Sequence, residues 1–416
     1  MSVLQIAALL IVLAGAFGAI NYLFLKLPSS IGILVVALLA SLAVIGLDFV
    51  LPGPAVSAAI RAEVIAWEFS DTLLEGMLGL LLFAGALHVK LSDLRAQVWP
   101  VLLMATIGVG LSTVVVGFGF SWITGMPLLL ALVFGALISP TDPVAVLGLL
   151  RKANLPETLE TKIAGESLFN DGVGYVVFLV LVGLALPGAD THGGEAGNAY
   201  ADAALLFFKE AVSGAALGAV LGWLTFRVMR RIDDYSLEVL LTLGLAFGGY
   251  ELAVYLHVSA PIMAVVAGLL IGDIGTKHGM SEQTRLYVEG FWRLIDEILN
   301  AVLFLMIGVE VFAVAFTMDA VTAGALTIGL ALVARFVAVA IPVALLKPFR
   351  GFTAGTIPIM TWGGLKGGIS VALALSLPDT DWKPLILTCT YMVVIFSIIV
   401  QGLTVSALAQ RLTRAS

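Results

Sequence analysis

The amino-acid sequence predicts an all-α polytopic membrane protein of about 13 transmembrane helices, built as two inverted six-helix repeats with broken, crossing helices. Three observations carry that expectation: the supply of apolar residues, the alternation of basic loops, and two interrupted spans at matching places in the series. Hydrophobic residues make up 60% of the chain and charged residues 12%, whereas a soluble domain carries about 25% charged residues. Apolar runs of roughly 20 residues recur from end to end, each long enough to cross a hydrocarbon core about 30 Å thick.

In chain order the spans fall near residues 3–25, 30–51, 71–89, 98–121, 127–150, 163–187, 204–228, 236–257, 259–273, 291–316, 320–346, 353–377 and 384–409. Charges, prolines and polar clusters set the boundaries. The first run lacks the basic leader and cleavage site of a signal peptide and reads as a span. Residues 54–70 form a short linker with Arg61 and Glu63, and 188–203 form a Gly-rich acidic loop. The whole chain, 1–416, reads as a single transmembrane domain: repeat one about 1–187, a linker helix about 204–228, repeat two about 236–411. Its 44 glycines suit a bilayer bundle, where small residues let helix backbones approach. The lone Cys389 excludes an intramolecular disulfide and a cysteine-based metal site. The net charge of −7 is scattered over short loops, with no basic patch for nucleic acid.

Basic loops are retained on the cytoplasmic side of a membrane. With the C-terminus in the cytoplasm, 15 Lys and Arg residues, Lys90, Arg95, Arg230 and Arg411 among them, fall inside, and only Arg61, Lys209 and Lys383 fall outside. One span missed or added mid-chain would swap every later loop. An odd number of spans, with the N-terminus outside a cell (inner or plasma) membrane, follows.

The fifth span is interrupted by Ser139-Pro140-Thr141-Asp142-Pro143 and the twelfth by Gly363-Gly364-Leu365-Lys366-Gly367-Gly368. Prolines remove helix hydrogen bonds and clustered glycines weaken helix preference. Broken backbone at membrane depth is tolerated only where protein or a polar cavity covers it. The two breaks lie seven spans apart, so two six-helix units joined by a linker helix place them at equivalent positions, the second unit inverted. Inverted repeats whose broken helices meet near the midplane are a common plan of secondary transporters.

Ionisable residues inside spans are costly and mark function or mutual pairing. They are Glu75, Asp142, Glu166, Asp171, Glu251, Glu297, Glu310, Arg335 and Lys366, with Asp296 near a span end. Asp142 and Thr141 offer oxygens at the fifth-span break; Asp142 equally suits an N-cap ahead of Pro143. In Gly165-Glu166-Ser167-Leu168-Phe169-Asn170-Asp171, Ser167 and Asp171 are four apart on one helical face, with Asn170 adjacent. Asp171, Asp142, Ser167 and Thr141 form a cradle of hard oxygen ligands for Na+, and burial of such a carboxylate makes proton and cation compete for it. Asp171 is the expected carrier.

Arg335 needs a partner in its apolar span. Glu166, turned about 140° from Asp171 on the helix at ~100° per residue, is available for it. Lys366 suits the C-terminal end of a half-helix, whose dipole it offsets. Glu297 and Asn300 are placed to line an interface between two helix bundles. The four histidines have no metal-ligand spacing.

The stretches SPTDPVAV (139–146), GESLFNDGVGYVVF (165–178), FWRLIDEILNAVLFLMIGVE (291–310) and TWGGLKGGISVALALSLP (361–378) resemble the signature segments of NhaP/NHE-type cation:proton antiporters, the cation:proton antiporter-1 family. The resemblance runs over roughly residues 70–405. It implies an NhaA-like antiporter fold, a homodimer, elevator-like movement of a six-helix core, and a role in pH homeostasis. It implies no cofactor and no enzyme activity, only transported Na+ (or Li+) and H+. It assigns the carrier role to Asp171, site roles to Thr141, Asp142, Ser167 and Asn170, and a stabilising pair to Glu166 and Arg335. An Asn-Asp pair, rather than Asp-Asp, implies one proton per cation. K+ in place of Na+, or an organic-anion carrier on the same plan, remains open. The chain departs from many relatives at Leu82-Phe83-Ala84-Gly85, where they carry an acidic residue, and at Lys366, where they carry Arg.

Overall fold

The computed structural model describes residues 3–50, 60–61, 72–142, 156–186, 199–276, 279–312, 314, 317–348, 351–352 and 355–414. All regular structure among them is helical. The first half holds α1 (Val3–Ile20), α2 (Ser29–Val50), α3 (Thr72–Leu87), α4 (Val98–Thr124), α5 (Leu128–Ile138) and α6 (Glu157–Ala185), followed by α7 (Ala199–Met229). The second holds α8 (Tyr235–Tyr255), α9 (Ala260–Leu270), α10 (Glu282–Val309), α11 (Met318–Leu346), α12 (Thr356–Trp362), α13 (Gly368–Leu375) and α14 (Lys383–Phe396). A π turn, Ser397–Gln401, carries α14 on into Gly402–Arg414. Among the described residues eight helices are long and apolar enough to cross a membrane, and α3, α5 and α9 are shorter apolar helices.

The helices overlie the apolar runs of the sequence, with differences at polar ends. α10 begins at Glu282, nine residues before the apolar run expected from 291, because Ser281 accepts from the Thr284 backbone and starts the helix in its polar, amphipathic part. α7 begins at Ala199, so residues 199–203 are helical rather than part of the expected loop. Side-chain caps start other spans: Asp234 for α8, Ser259 followed by Pro261 for α9, and Thr317 for α11. Apart from residues 60–61, the linker 54–70 lies outside the described residues; so does 143–155, which includes the second half of the fifth span.

Helix packing divides the molecule into two bundles. In one, α4, α5, α6, α11 and α14 surround the broken pair α12 and α13; in the other, α1, α2 and α3 join α7, α8, α9 and α10. α6 also touches α7 and α9 along the boundary. Close backbone approach builds the second bundle: Gly214, Gly218 and Gly222 form a stripe on α7 against Ser259, Met263 and Ala267. A Cβ at Gly218 would lie 2.5 Å from the Met263 carbonyl oxygen. That is the small-residue packing lipid demands, since apolar side chains gain little by leaving it.

Candidate functional site

The two breaks meet. α5 ends at Ile138, and the chain runs on without helix through Pro140, which has no backbone N–H to continue it. The Asp142 backbone N–H donates to the Leu365 carbonyl at 2.8 Å, joining one break directly to the other. The Lys366 ammonium donates to the Ser139 carbonyl at 2.9 Å and the Pro140 carbonyl at 3.3 Å. It therefore sits on the carbonyl end of α5, where unpaired backbone oxygens carry partial negative charge. Gly367 permits the contact: a Cβ there would lie 2.6 Å from the Asp142 Cβ.

Helix α6 supplies the second layer, with Glu166, Ser167, Asn170 and Asp171 all buried. Asn170 makes a reciprocal pair with Thr141: its Nδ2 donates to Thr141 Oγ1 at 2.8 Å and its Oδ1 accepts from the Thr141 N–H at 3.2 Å. Thr141 Oγ1 also shares a hydrogen bond with Ser167 Oγ at 2.9 Å. This triad fastens the non-helical segment to α6. Asp171 stays out of it, and its Oδ1, though buried, has no hydrogen-bond partner among the described residues.

Asp171, Asp142 and Thr141 line a cavity of about 50 Å³ at the boundary of the two bundles. One water-sized sphere needs only ~10–15 Å³. Leu81, Leu82 and Gly85 of α3 and Asn300 and Leu303 of α10 line it from the other bundle. Ser167 does not line it; its hydroxyl is turned to Thr141. The four-residue spacing put Ser167 and Asp171 on one face, yet only Asp171 reaches the open space.

Arg335, buried in α11, is bidentate to Glu166: Nη1 donates to Oε1, and Nη2 to Oε2 at 2.8 Å. Its Nε donates to the Met360 carbonyl at 3.2 Å, tying α12 to α6. Gly364 makes room, since a Cβ there would lie 2.1 Å from Arg335 Nε. Beside it, Ser397 accepts from the Lys366 N–H at 2.8 Å and donates to Gln401, whose Nε2 donates to the Trp362 carbonyl at 3.0 Å.

Of the other ionisable residues, Glu251 and Glu297 are exposed and Glu310 is partly buried away from the cavity. Pro143, and with it the helix that Asp142 would cap, lies outside the described residues. Asn300 does reach the cavity, and its amide is held by Asp296. Sequence reasoning missed Ser370, buried in the same lining, and the Ser397–Gln401 pair. Nothing in the spacing of Ser370 marks it in the sequence; its missing hydrogen-bond partner among the described residues does so only in the structure.

A model of the transmembrane sodium/hydrogen exchanger family matches residues 8–411. The Na+/H+ antiporter NhaP of Pseudomonas aeruginosa is 47% identical over 420 residues, covering 98% of this chain and 97% of that protein. The Na+/H+ antiporter NhaH of Halobacillus dabanensis is 35% identical over 390 residues, 93% of each. Among solved structures, the sodium proton antiporter MjNhaP1 of Methanocaldococcus jannaschii superposes with a TM-score of 0.77 at 19% identity, covering 98% of each chain, and shares the fold.

Proposed function

The chain belongs to the sodium/hydrogen exchanger family, and from that premise we propose that it exchanges Na+ (or Li+) for H+ across the cell membrane, one for one, by alternating access. The observation that carries the reading is a buried carboxylate oxygen, Asp171 Oδ1, with no hydrogen-bond partner among the described residues, beside a small cavity between two bundles. Such an oxygen is satisfied either by a proton or by a cation, and not by both. Asp142 and Thr141 supply further oxygens. Asn170 and Ser167 act by holding Thr141 in place.

Charge balance supports the stoichiometry. Asp142 and Asp171 line the same cavity, the Lys366 ammonium sits on the carbonyls just before Asp142, and Arg335 is matched to Glu166. With Lys366 set against one aspartate, a single proton or a single monovalent cation neutralises the remainder. The bundle containing α5, α6, α12 and α13 carries the ion as it moves against the other. Thirteen crossings in two inverted repeats, with the N-terminus outside and the C-terminus cytoplasmic, fit the distribution of Lys and Arg. A homodimer, carried over from the family resemblance, is checked by cross-linking in membranes.

The decisive test is cation-driven proton flux in proteoliposomes, run with Na+, Li+ and K+. Wild-type protein should exchange Na+ and Li+, whereas Asp171→Asn should not; exchange by the variant would refute the carrier assignment. Imposing a membrane voltage should leave the wild-type rate nearly unchanged. A steep voltage dependence would rule out one-for-one exchange.

A further inference from the structure

The carboxylates are not the only polar side chains of the cavity. Its lining also includes Ser370, on the first turn of α13, and Asn300 of α10. Ser370 is 1% exposed and its Oγ has no hydrogen-bond partner among the described residues. Buried hydroxyls are as a rule bonded, so an orphan on a residue that lines a cavity calls for something in that cavity. Asn300 donates its Nδ2 hydrogens to the Asp296 carbonyl at 2.8 Å and to Asp296 Oδ1 at 3.1 Å. An amide has two donor hydrogens, and both are committed, which leaves the Asn300 amide oxygen as its remaining polar group. The other large side chains of the lining, Leu81, Leu82, Leu168, Leu303 and Ile369, carry no oxygen for an ion.

We propose that Ser370 and Asn300 are cation ligands, a hydroxyl and an amide oxygen that complete the shell begun by Asp171 and Asp142. This rests on the exchange reading above and extends it. Hydroxyl and amide oxygens are hard donors suited to small cations and cannot neutralise one, so they set affinity and selectivity without changing the charge count. The two ligands also differ in origin. Ser370 belongs to the bundle that carries the carboxylates, whereas Asn300 belongs to the other. A cation held by both ties the bundles together, and a shift between bundles withdraws Asn300 while Ser370 stays. Asp296 is a positioning residue: its two acceptors fix which end of the Asn300 amide faces the cavity.

The test is steady-state exchange in proteoliposomes with Na+ and Li+ varied separately. Ser370→Ala should raise the apparent KM for Na+ about fivefold, the size of one lost polar contact, with the maximal rate within about twofold of wild type. Ser370→Cys, which keeps the volume but presents soft sulfur, should behave like the alanine variant. Both should change the Na+ to Li+ ratio of KM values, which a packing defect alone would leave unmoved. Asn300→Ala should raise KM as well, and if it fails to fold the two Ser370 variants decide. A KM within twofold of wild type for Ser370→Ala, or wild-type behaviour of Ser370→Cys, would overturn the ligand assignment while leaving exchange intact. Wild-type vesicles showing no flux with any of the cations would instead bring down the exchange reading itself.

Discussion

At the fifth-span break the chain spends polar side chains: Ser139, Thr141 and Asp142 around a proline. At the twelfth it spends glycines, four of them around one lysine. Both interrupt a helix inside a membrane, where unpaired backbone groups have no water to turn to. The first break exposes carbonyls and satisfies them from outside its own span, through Lys366. The second has little side-chain chemistry and works by admitting its neighbours: Asp142 against Gly367 and Arg335 against Gly364. The acidic, proline-bearing break therefore presents oxygens to the cavity, and the glycine break lets a cationic side chain and a rigid scaffold come close enough to hold them there. Each break is incomplete without the other.

The scaffold side of that comparison should show the largest effect when broken. Arg335→Leu leaves Glu166 buried without its partner and frees the Met360 carbonyl, and stranding one member of a buried pair costs about 3–5 kcal/mol. Thermal unfolding in detergent should show a much lower midpoint, partly recovered in the double variant Glu166→Leu/Arg335→Leu. An Arg335→Leu protein as stable as wild type would mean that the glycine break needs no external brace.

Much of this arrangement was legible in the sequence. Prolines, clustered glycines and isolated charges in apolar runs located both breaks, because in lipid each of them is costly enough to stand out. The spacing of Glu166 from Asp171 put them on different faces of α6, and the structure does turn them apart, one to Arg335 and one to the cavity. A two-bundle interface was expected at Glu297 and Asn300, but which helices make up each bundle was not legible, since that depends on which helix faces meet, and all the spans look alike in composition. Nor was the orientation of Ser167, whose hydroxyl chose Thr141 over the cavity once Asn170 had fixed Thr141 in place. Ser370 was passed over because a serine is unremarkable until its lack of a partner is seen.

The contact between breaks is probed next. Gly367→Ala drives a Cβ to 2.6 Å from the Asp142 Cβ and 2.7 Å from its Oδ2. Overpacking of this kind costs roughly 1–3 kcal/mol, and here it also pushes the carboxylate off the cavity wall, so exchange should fall by at least about tenfold. Gly329→Ala is the control, because a Cβ there meets nothing; it should leave stability equal or raise it by ~0.5–1 kcal/mol. If Gly367→Ala transported like the control, the close approach of the breaks would not matter to function.

The smallest effect separates how each break is anchored to its surroundings. Ser139 Oγ shares a hydrogen bond with Thr113 at 3.3 Å and donates to the Gly135 carbonyl at 2.7 Å. Thr113→Val removes the first and strands nothing, because Ser139 keeps the second. Ser397, its counterpart beside the glycine break, accepts from the Lys366 N–H and donates to Gln401. Ser397→Ala leaves a buried backbone donor without an acceptor, which costs ~1–3 kcal/mol, whereas loss of one redundant hydrogen bond costs ~0.5–1.5 kcal/mol. Unfolding midpoints of the two variants should therefore differ, with Ser397→Ala the lower. Equal midpoints would show that the glycine break, like the proline break, has a second anchor, and that its side-chain poverty is only apparent.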